Sequence, residues 1–568
     1  MLWKLSSIAL YANVTSWVLG FCLLSSFATC IHAIDNNSSG SIASTTAPVS
    51  KESLLVLQDI NILIVTDVHS WVGGHPHNDT LNVDYGDVLS FHQRLKTKSI
   101  SEKKDLFFVM NGDFVDGTGL SAYPPKDLTP ILQHMPWDAL TIGNHELYKN
   151  ATIEYITEPN GFVDFWQGKY LTTNVFLTKT NQPIGSQYRF LQGEFSGHTI
   201  LTFGFLYDFQ NHCQITEVED VEKVVNKTWF VDVLSGNESS FDSILVLAHM
   251  DAYDPLINVI LDKIREICGE TMPVQFITGH THKRKFQQMD SFSTSFEAGR
   301  FLDTVGFTSL SFNASSANFE HKFIDGDIED MKELLGMAQS DSFETEAGKN
   351  LTNLIVATQE KLGLNVRLGC SPKTYYLSKG LDDPDSLWGL YVKTVIPQAF
   401  FKESDSKLFI QKTPGGFRYN LFEGNVTVND LITITPYNDT LYLVAKGIKG
   451  SEFINAFGKP NLVDVNSYNS ALPQMVVAGN VDVDRLYDVY TVDFDVGYTL
   501  GLLENATKRI FIPTALDGQT TRTLWRSFIK DSDSWQCPPV VVEKESDEEL
   551  SWQDKFRDFF ESFSVTKL

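Results

Sequence analysis

The chain has 568 residues, 42% of them hydrophobic and 20% charged, with a formal net charge of −26. That length exceeds what one hydrophobic core supports, so two or more domains are expected. So large an excess of carboxylates repels a polyanion, which sets nucleic-acid binding aside.

The first 34 residues carry one charged side chain, Lys4, and include the apolar stretch SWVLGFCLLSSFATCIHA. They predict a secretory leader cut near Ala33, or an uncleaved signal anchor that would attach the chain to a membrane. Residues 35–53 are polar and aperiodic, a flexible spacer. Eleven Asn-x-Ser/Thr sequons follow the leader, at Asn36, Asn37, Asn78, Asn150, Asn226, Asn237, Asn313, Asn350, Asn425, Asn438 and Asn505. Together with the leader they predict an N-glycosylated protein of the secretory route, bound for the exterior or a vacuolar or lysosomal lumen. Of six cysteines, Cys22 and Cys30 lie in the leader. Cys213, Cys268, Cys370 and Cys537 could form two disulfides, in any of three pairings.

From residue 54 to 324, apolar runs of about four to seven residues alternate with longer mixed segments. INILIVTDVH, DLFFVMNGD, ALTIGNHE, TILTFGF, SILVLAHMD and VQFITGHTH each end in a polar cluster. Unbroken apolar runs of this length suit strands buried on both faces, and DPLINVILDKIREIC has helical spacing. An α/β domain is expected, with ligands at the carboxyl ends of its strands. Residues 325–365 read as a helical connector, from DIEDMKELLGMAQ and LTNLIVATQEKLG. Residues 366–530, with the strand-like runs NDLITITPY, DTLYLVAKG, PQMVVAG and LYDVYTVDF, read as a second, α+β domain. Residues 531–568 form an acidic, amphipathic tail in which Trp552, Phe556, Phe559, Phe560 and Phe563 share a helical face.

The strand ends of the first domain gather one kind of chemistry. Asp67 and His69 close the first run, Asp113 the second, Asn144 and His145 the third; His249 follows, then His280 and His282. Imidazole, carboxylate and amide oxygen all ligate borderline divalent ions such as Zn, Mn, Fe or Co. Two such ions about 3.5–4 Å apart hold an anionic substrate and acidify a shared water. Gly279, just before His280, is expected to free the turn. Singly, each of these histidines would pass for an ordinary buried or surface residue; the ordered set of five strand ends is what points to a site.

That order, D-x-H, G-D-x-x-D (with Asp116), G-N-H-E, H and G-H-x-H, resembles the calcineurin-like metallophosphoesterases. TPGGFRYNLFEGNVTVNDLITITPYNDTLYLVAKG is similar to the second domain of their 5′-nucleotidase branch, and the chain as a whole resembles a fungal-type secretory or vacuolar member. The resemblance implies a four-layer sandwich, two β-sheets flanked by helices, followed by an α+β 5′-nucleotidase-like domain. It implies two divalent metal ions. Asp67, His69 and His282 would hold one, Asn144, His249 and His280 the other, and Asp113 would bridge them. His145 would be catalytic, facing the phosphoryl group or protonating the leaving oxygen. Arg418, Tyr437 and Tyr498 would bind the substrate, the tyrosines flanking a base. The family orients the histidine of G-N-H-E with an Asp three residues on; here that position is Tyr148, and Asp116 could stand in. Thr413 replaces the family's Asn, and its glycine-rich turn is reduced to DVGY. The expected activity is hydrolysis of a small-molecule phosphomonoester, nucleotide or nucleotide-like. The alternatives are a phosphodiester, pyrophosphate or non-nucleotide ester as substrate, or an inactive binding module.

Overall fold

The computed structural model describes residues 54–236, 240–402, 404–413, 415–458 and 472–538. The expected leader, the spacer and the apolar face of the tail lie outside the described residues. No helix among the described residues is long and apolar enough to cross a membrane.

The apolar runs form twelve strands of two six-stranded sheets. In chain order these are β1 (Ile60–Val65), β2 (Asp105–Asn111), β3 (Ala139–Thr141), β4 (Tyr170–Leu171), β5 (Tyr188–Gln192), β6 (Thr199–Leu206), β7 (Ser243–His249), β8 (Val274–Thr278), β9 (Arg284–Asp290), β10 (Ser293–Ala298), β11 (Thr304–Asn313) and β12 (Ser316–Asp325). The first sheet runs β12-β11-β1-β2-β3-β4 and the second β9-β10-β8-β7-β6-β5. The strands that carry the polar clusters are parallel: β1 to β2 to β3 in one sheet, β7 to β8 in the other. Parallel pairing puts all their carboxyl ends on one edge of each sheet, where open α/β folds keep their ligands.

Both faces of these strands are buried, as their unbroken apolar runs require. Ile60, Ile62 and Ile64 of β1 meet Leu245 and Leu247 of β7 and Ile277 of β8 between the sheets. Leu63 and Val65 point the other way, into a core shared with Val88, Phe91 and Leu95 of helix α1 (Tyr85–Glu102). Val246 of β7 and Val274 of β8 pack on Ile257, Ile260 and Ile264 of helix α2 (Pro255–Cys268). The first half is thus a helix–sheet–sheet–helix sandwich. Helix α3 (Glu346–Lys361), expected as part of a connector, packs on α1 and adds Leu351 and Ile355 to its core.

The second half is built on a five-stranded sheet with its own core around Trp388, Tyr391, Phe417 and Trp525. NDLITITPY departs from its strand-like composition: Val428–Ile434 is a helix. The Thr427 hydroxyl accepts from the Asp430 N–H while the Asp430 carboxylate accepts from the Thr427 N–H at 2.7 Å, a capping box that overrides the β-branched residues. Of the four cysteines expected to pair, only Cys370 and Cys537 do; Cys213 and Cys268 are free thiols. The bond fastens the segment around Trp535, buried against Tyr375 and Phe528, to strand Arg367–Ser371.

Candidate active site

The loops beyond β1, β2, β3, β7 and β8 bring the expected ligands into one buried cluster. The ligating atoms of Asp67, His69, Asp113 and His282 all lie within 4.8 Å of one another, and so do those of Asp113, His249 and His280. Asp113 belongs to both groups. Its Oδ1 accepts the His145 N–H at 2.9 Å, which turns Oδ2 toward His249 Nε2 at 3.1 Å and His69 Nε2 at 3.6 Å.

Local structure fixes each ligand. The Nδ1 atoms of His69 and His249 sit 2.7 Å from the carbonyls of Val115 and Asn111, so both Nε2 atoms face inward. The Asn144 amide donates to the Tyr148 hydroxyl at 3.1 Å, leaving its oxygen aimed away. The His280 N–H donates to Asp67 at 2.9 Å, and buried Glu297 accepts from Thr281 and from the Lys283 N–H. Asp67, His69, Asp113, Asp116, His280 and His282 all have left-handed backbones, φ 44° to 74°, the kind of strain that persists where surrounding contacts over-determine a site. The need for Gly279 differs from the expected freedom of turn: His280 and His282 take the positive φ, and a Cβ on Gly279 would stand 2.6 Å from Asp67 Oδ2. Glycine there makes room for the carboxylate.

One residue of this framework carried no expected role. The Glu146 carboxylate, fully buried, accepts four backbone N–H groups: Gly143 at 2.7 Å, Phe114 at 2.8 Å, Asp113 at 3.0 Å and Val115 at 3.2 Å. It ties the loop after β2 to the loop after β3. The G-N-H-E string signals it, but only as the letter that follows His145.

The cluster fits a pair of divalent cations. Asp113 Oδ2, His249 Nε2 and Asn144 Oδ1 are buried and make no aligned hydrogen bond, a costly state unless another partner takes them. Burial, then Arg418 and Arg300, push His282 down to about 2, and burial, then His249, push His280 down to about 4, so both keep free lone pairs near neutrality. Burial opposes a charge on His249, yet the carboxylates of Asp113 and Asp67 outweigh it and raise that imidazole to about 10. A position that draws a proton this strongly is one where positive charge is favoured.

His145 is held by Asp116, whose Oδ2 lies 2.9 Å from Nδ1, while Tyr148 packs edge-on to the ring. Beyond it opens a cavity of about 530 Å³, lined from both halves of the chain. Arg418 reaches across to within 3.3 Å of His69 Nε2, and Tyr437 lies nearly parallel to the His145 ring, centroids 6.2 Å apart. Both line the cavity, but Tyr498 does not. The helix that starts at Val496 carries Tyr498 outward, where the Lys412 ammonium sits 4.1 Å over its ring. Tyr123 and Tyr148 also line it, and from the DFDVGY string the aromatic on the wall is Phe494, 71% exposed. Nothing in DFDVGY marks one aromatic over the other; the helix start decides.

The two halves also meet beside the site. His75 joins the Tyr419 hydroxyl at 2.8 Å to the Phe301 carbonyl at 2.7 Å, and His77 pairs with Asp430 at 2.8 Å. Arg284, two residues beyond His282, is engaged with Asp325 and Thr304.

A family model described as calcineurin-like phosphoesterase matches residues 60–284. Uncharacterized protein YHR202W of Saccharomyces cerevisiae is 32% identical over 410 residues, 67% of this chain and 67% of its own length. Uncharacterized protein C1039.02 of Schizosaccharomyces pombe is 30% identical over 485 residues, 76% of this chain and 78% of its own. A protein of Arthroderma benhamiae named "Secreted protein" is 26% identical over 476 residues, covering 73% and 70%. Among solved structures, the 5′-nucleotidase from Candida albicans SC5314 aligns with 84% of this chain and 99% of its own at TM-score 0.75 and 23% identity, a likeness of fold.

Proposed function

The chain belongs to the calcineurin-like phosphoesterase family, and on that premise we propose that it hydrolyses a small phosphomonoester, nucleotide or nucleotide-like, in the cavity between its two halves. One observation carries the reading: the two ligand groups that share Asp113 lie within reach of Arg418 and His145, which line or border a cavity with aromatic walls.

Asp67, His69 and His282 would hold one divalent ion and Asn144, His249 and His280 the other, with Asp113 between. Such ions, when bound, polarise phosphoryl oxygens and supply a water of lowered pKa; Zn, Mn, Fe and Co all suit these donors. Arg418 binds the anionic phosphoryl group, to which its fixed fork of donors is matched. Water adds to phosphorus as the ester P–O bond breaks, and the departing oxygen takes a proton from His145, so that an alcohol and orthophosphate leave. Asp116 keeps the His145 Nδ1 occupied, which leaves Nε2 for that proton. Tyr437 and Phe494 offer flat faces to a planar leaving group.

The same reading places the protein in the secretory route, glycosylated, with a leader that is either cut or retained as a membrane anchor. Supporting it, seven of the eight described sequon asparagines are exposed: Asn150, Asn226, Asn313, Asn350, Asn425, Asn438 and Asn505. Phosphate release should be assayed across nucleoside mono-, di- and cyclic phosphates and sugar phosphates, after dialysis against Zn, Mn or Co, with Asp113→Asn as the blank. Inertness toward every ester in all three metals would refute hydrolysis, and a marked preference for a non-nucleoside ester would refute the nucleotide reading.

A further inference from the structure

We propose that Tyr123 is a positioning residue for the leaving-group proton: its hydroxyl fixes the Asp116 carboxylate, which in turn fixes His145. The inference rests on the hydrolase reading above.

Asp116 is buried and held at both oxygens. Oδ2 takes His145 Nδ1 at 2.9 Å, and Oδ1 accepts from the Tyr123 hydroxyl. Its backbone is fixed as well, with φ 68° and its N–H donated to the Ser121 hydroxyl at 3.0 Å. A carboxylate bonded at one oxygen can rotate about its Cβ–Cγ bond; bonded at two, it presents one oxygen in a set direction. That direction turns the His145 Nδ1–H to donate to Asp116 and holds Nε2 toward the cluster, 3.9 Å from Asp113 Oδ2. Burial and then the negative charge of Asp116 raise the Tyr123 phenol, so it remains a donor at any physiological pH.

Tyr123 also stands on the cavity wall with Tyr437 and Tyr148, so one ring touches the space for the leaving group and the dyad that would protonate it. Tyr148 occupies the position where the resembling nucleotidases carry an acid, but it meets His145 with its ring and its hydroxyl accepts from the Asn144 amide. The Tyr123–Asp116 pair therefore does the orienting in this chain.

The test exploits leaving-group basicity. An alkoxide needs a proton as its bond to phosphorus breaks, whereas p-nitrophenolate departs as the anion. Tyr123→Phe keeps the ring and removes the donor. On adenosine 5′-monophosphate, or whichever alkyl phosphate turns over best, kcat should fall about tenfold with KM within about twofold. On p-nitrophenyl phosphate kcat should stay within about twofold, and in an Asp116→Asn background the same change should cost no more than about twofold. Equal losses on both esters, a loss confined to KM, or full additivity with Asp116→Asn would each overturn the proposal. Independently of turnover, the downfield NMR resonance of the His145 Nδ1 proton should move in Tyr123→Phe, and an unmoved resonance would also overturn it. A wild type inert toward all phosphoesters, with a resonance that still moves, would instead refute the hydrolase reading and uphold the coupling.

Discussion

The histidine–aspartate cluster and the cavity wall opposite it are built by opposite means. Each ligand of the cluster sits at or just beyond the end of a buried strand, and backbone groups hold the outer ring nitrogens of His69 and His249 and the second oxygen of Asp113. The wall comes from loops, two strand ends and the turn before a helix, and Phe494 stands largely in solvent. Rigid placement suits chemistry that tolerates little displacement, while the wall meets whatever the substrate carries. The two regions should accordingly fail in different ways when altered.

The deepest loss is expected at the shared ligand. Asp113→Asn should lower kcat/KM by about 10³-fold or more and reduce bound metal on elemental analysis, with thermal unfolding little changed. If the variant keeps both its metal and its rate, the cluster is not the reaction centre. Cys370→Ser probes the half of the chain that carries most of the wall, away from both the wall and the cluster. Opening a staple of this kind should cost about 2–5 kcal/mol in the second half and lower its unfolding temperature, with the metal content of the cluster unchanged. Arg418→Ala, at the point where the regions touch, should reduce kcat/KM by about 10–100-fold, the range for one charge-assisted hydrogen bond. On a nucleotide, Phe494→Ala should cost about tenfold through lost stacking, and Tyr498→Ala no more than about twofold. Equal effects from both would mean that the wall is assigned to the wrong aromatic.

The smallest effect concerns the seam. Asp430, through its hydrogen bond, raises His77 above its ordinary value, against the opposing effect of partial burial. A raised folded-state value stabilises while the imidazole is protonated, so the contribution is complete below the unfolded pKa of about 6.5 and fades as pH rises through the folded one. His77→Ala should therefore destabilise by less than about 1 kcal/mol at pH 5.5 and by almost nothing at about pH 8.5, read from paired melting curves. A difference that grew with pH would contradict the sign.

The contrast also explains what could be read in advance. Asp67, His69, Asp113, Asn144, His249, His280 and His282 were legible because parallel strands carry their ends to one edge, so order along the chain translates into proximity. That Arg418 and Tyr437 stand on the cavity was legible through resemblance. Phe494 was missed because its neighbour Tyr498 is equally aromatic, and only the phase of the helix beginning at Val496 separates them. The helix at Val428–Ile434 was missed because side-chain capping outweighed a β-prone composition. Tyr123 lies seven residues beyond the G-D-x-x-D string and inside no motif, so only the folded chain shows its link to Asp116.

Glu146 bears on how the protein comes to life. By gathering four main-chain amides from two separate loops, it completes the receptacle with the chain's own atoms. Folding and ion uptake then become separable events. A newly made molecule can wait, fully shaped, in a compartment poor in transition metals, and a chelator should silence it without unravelling it, so that activity returns on simple re-addition of the ion.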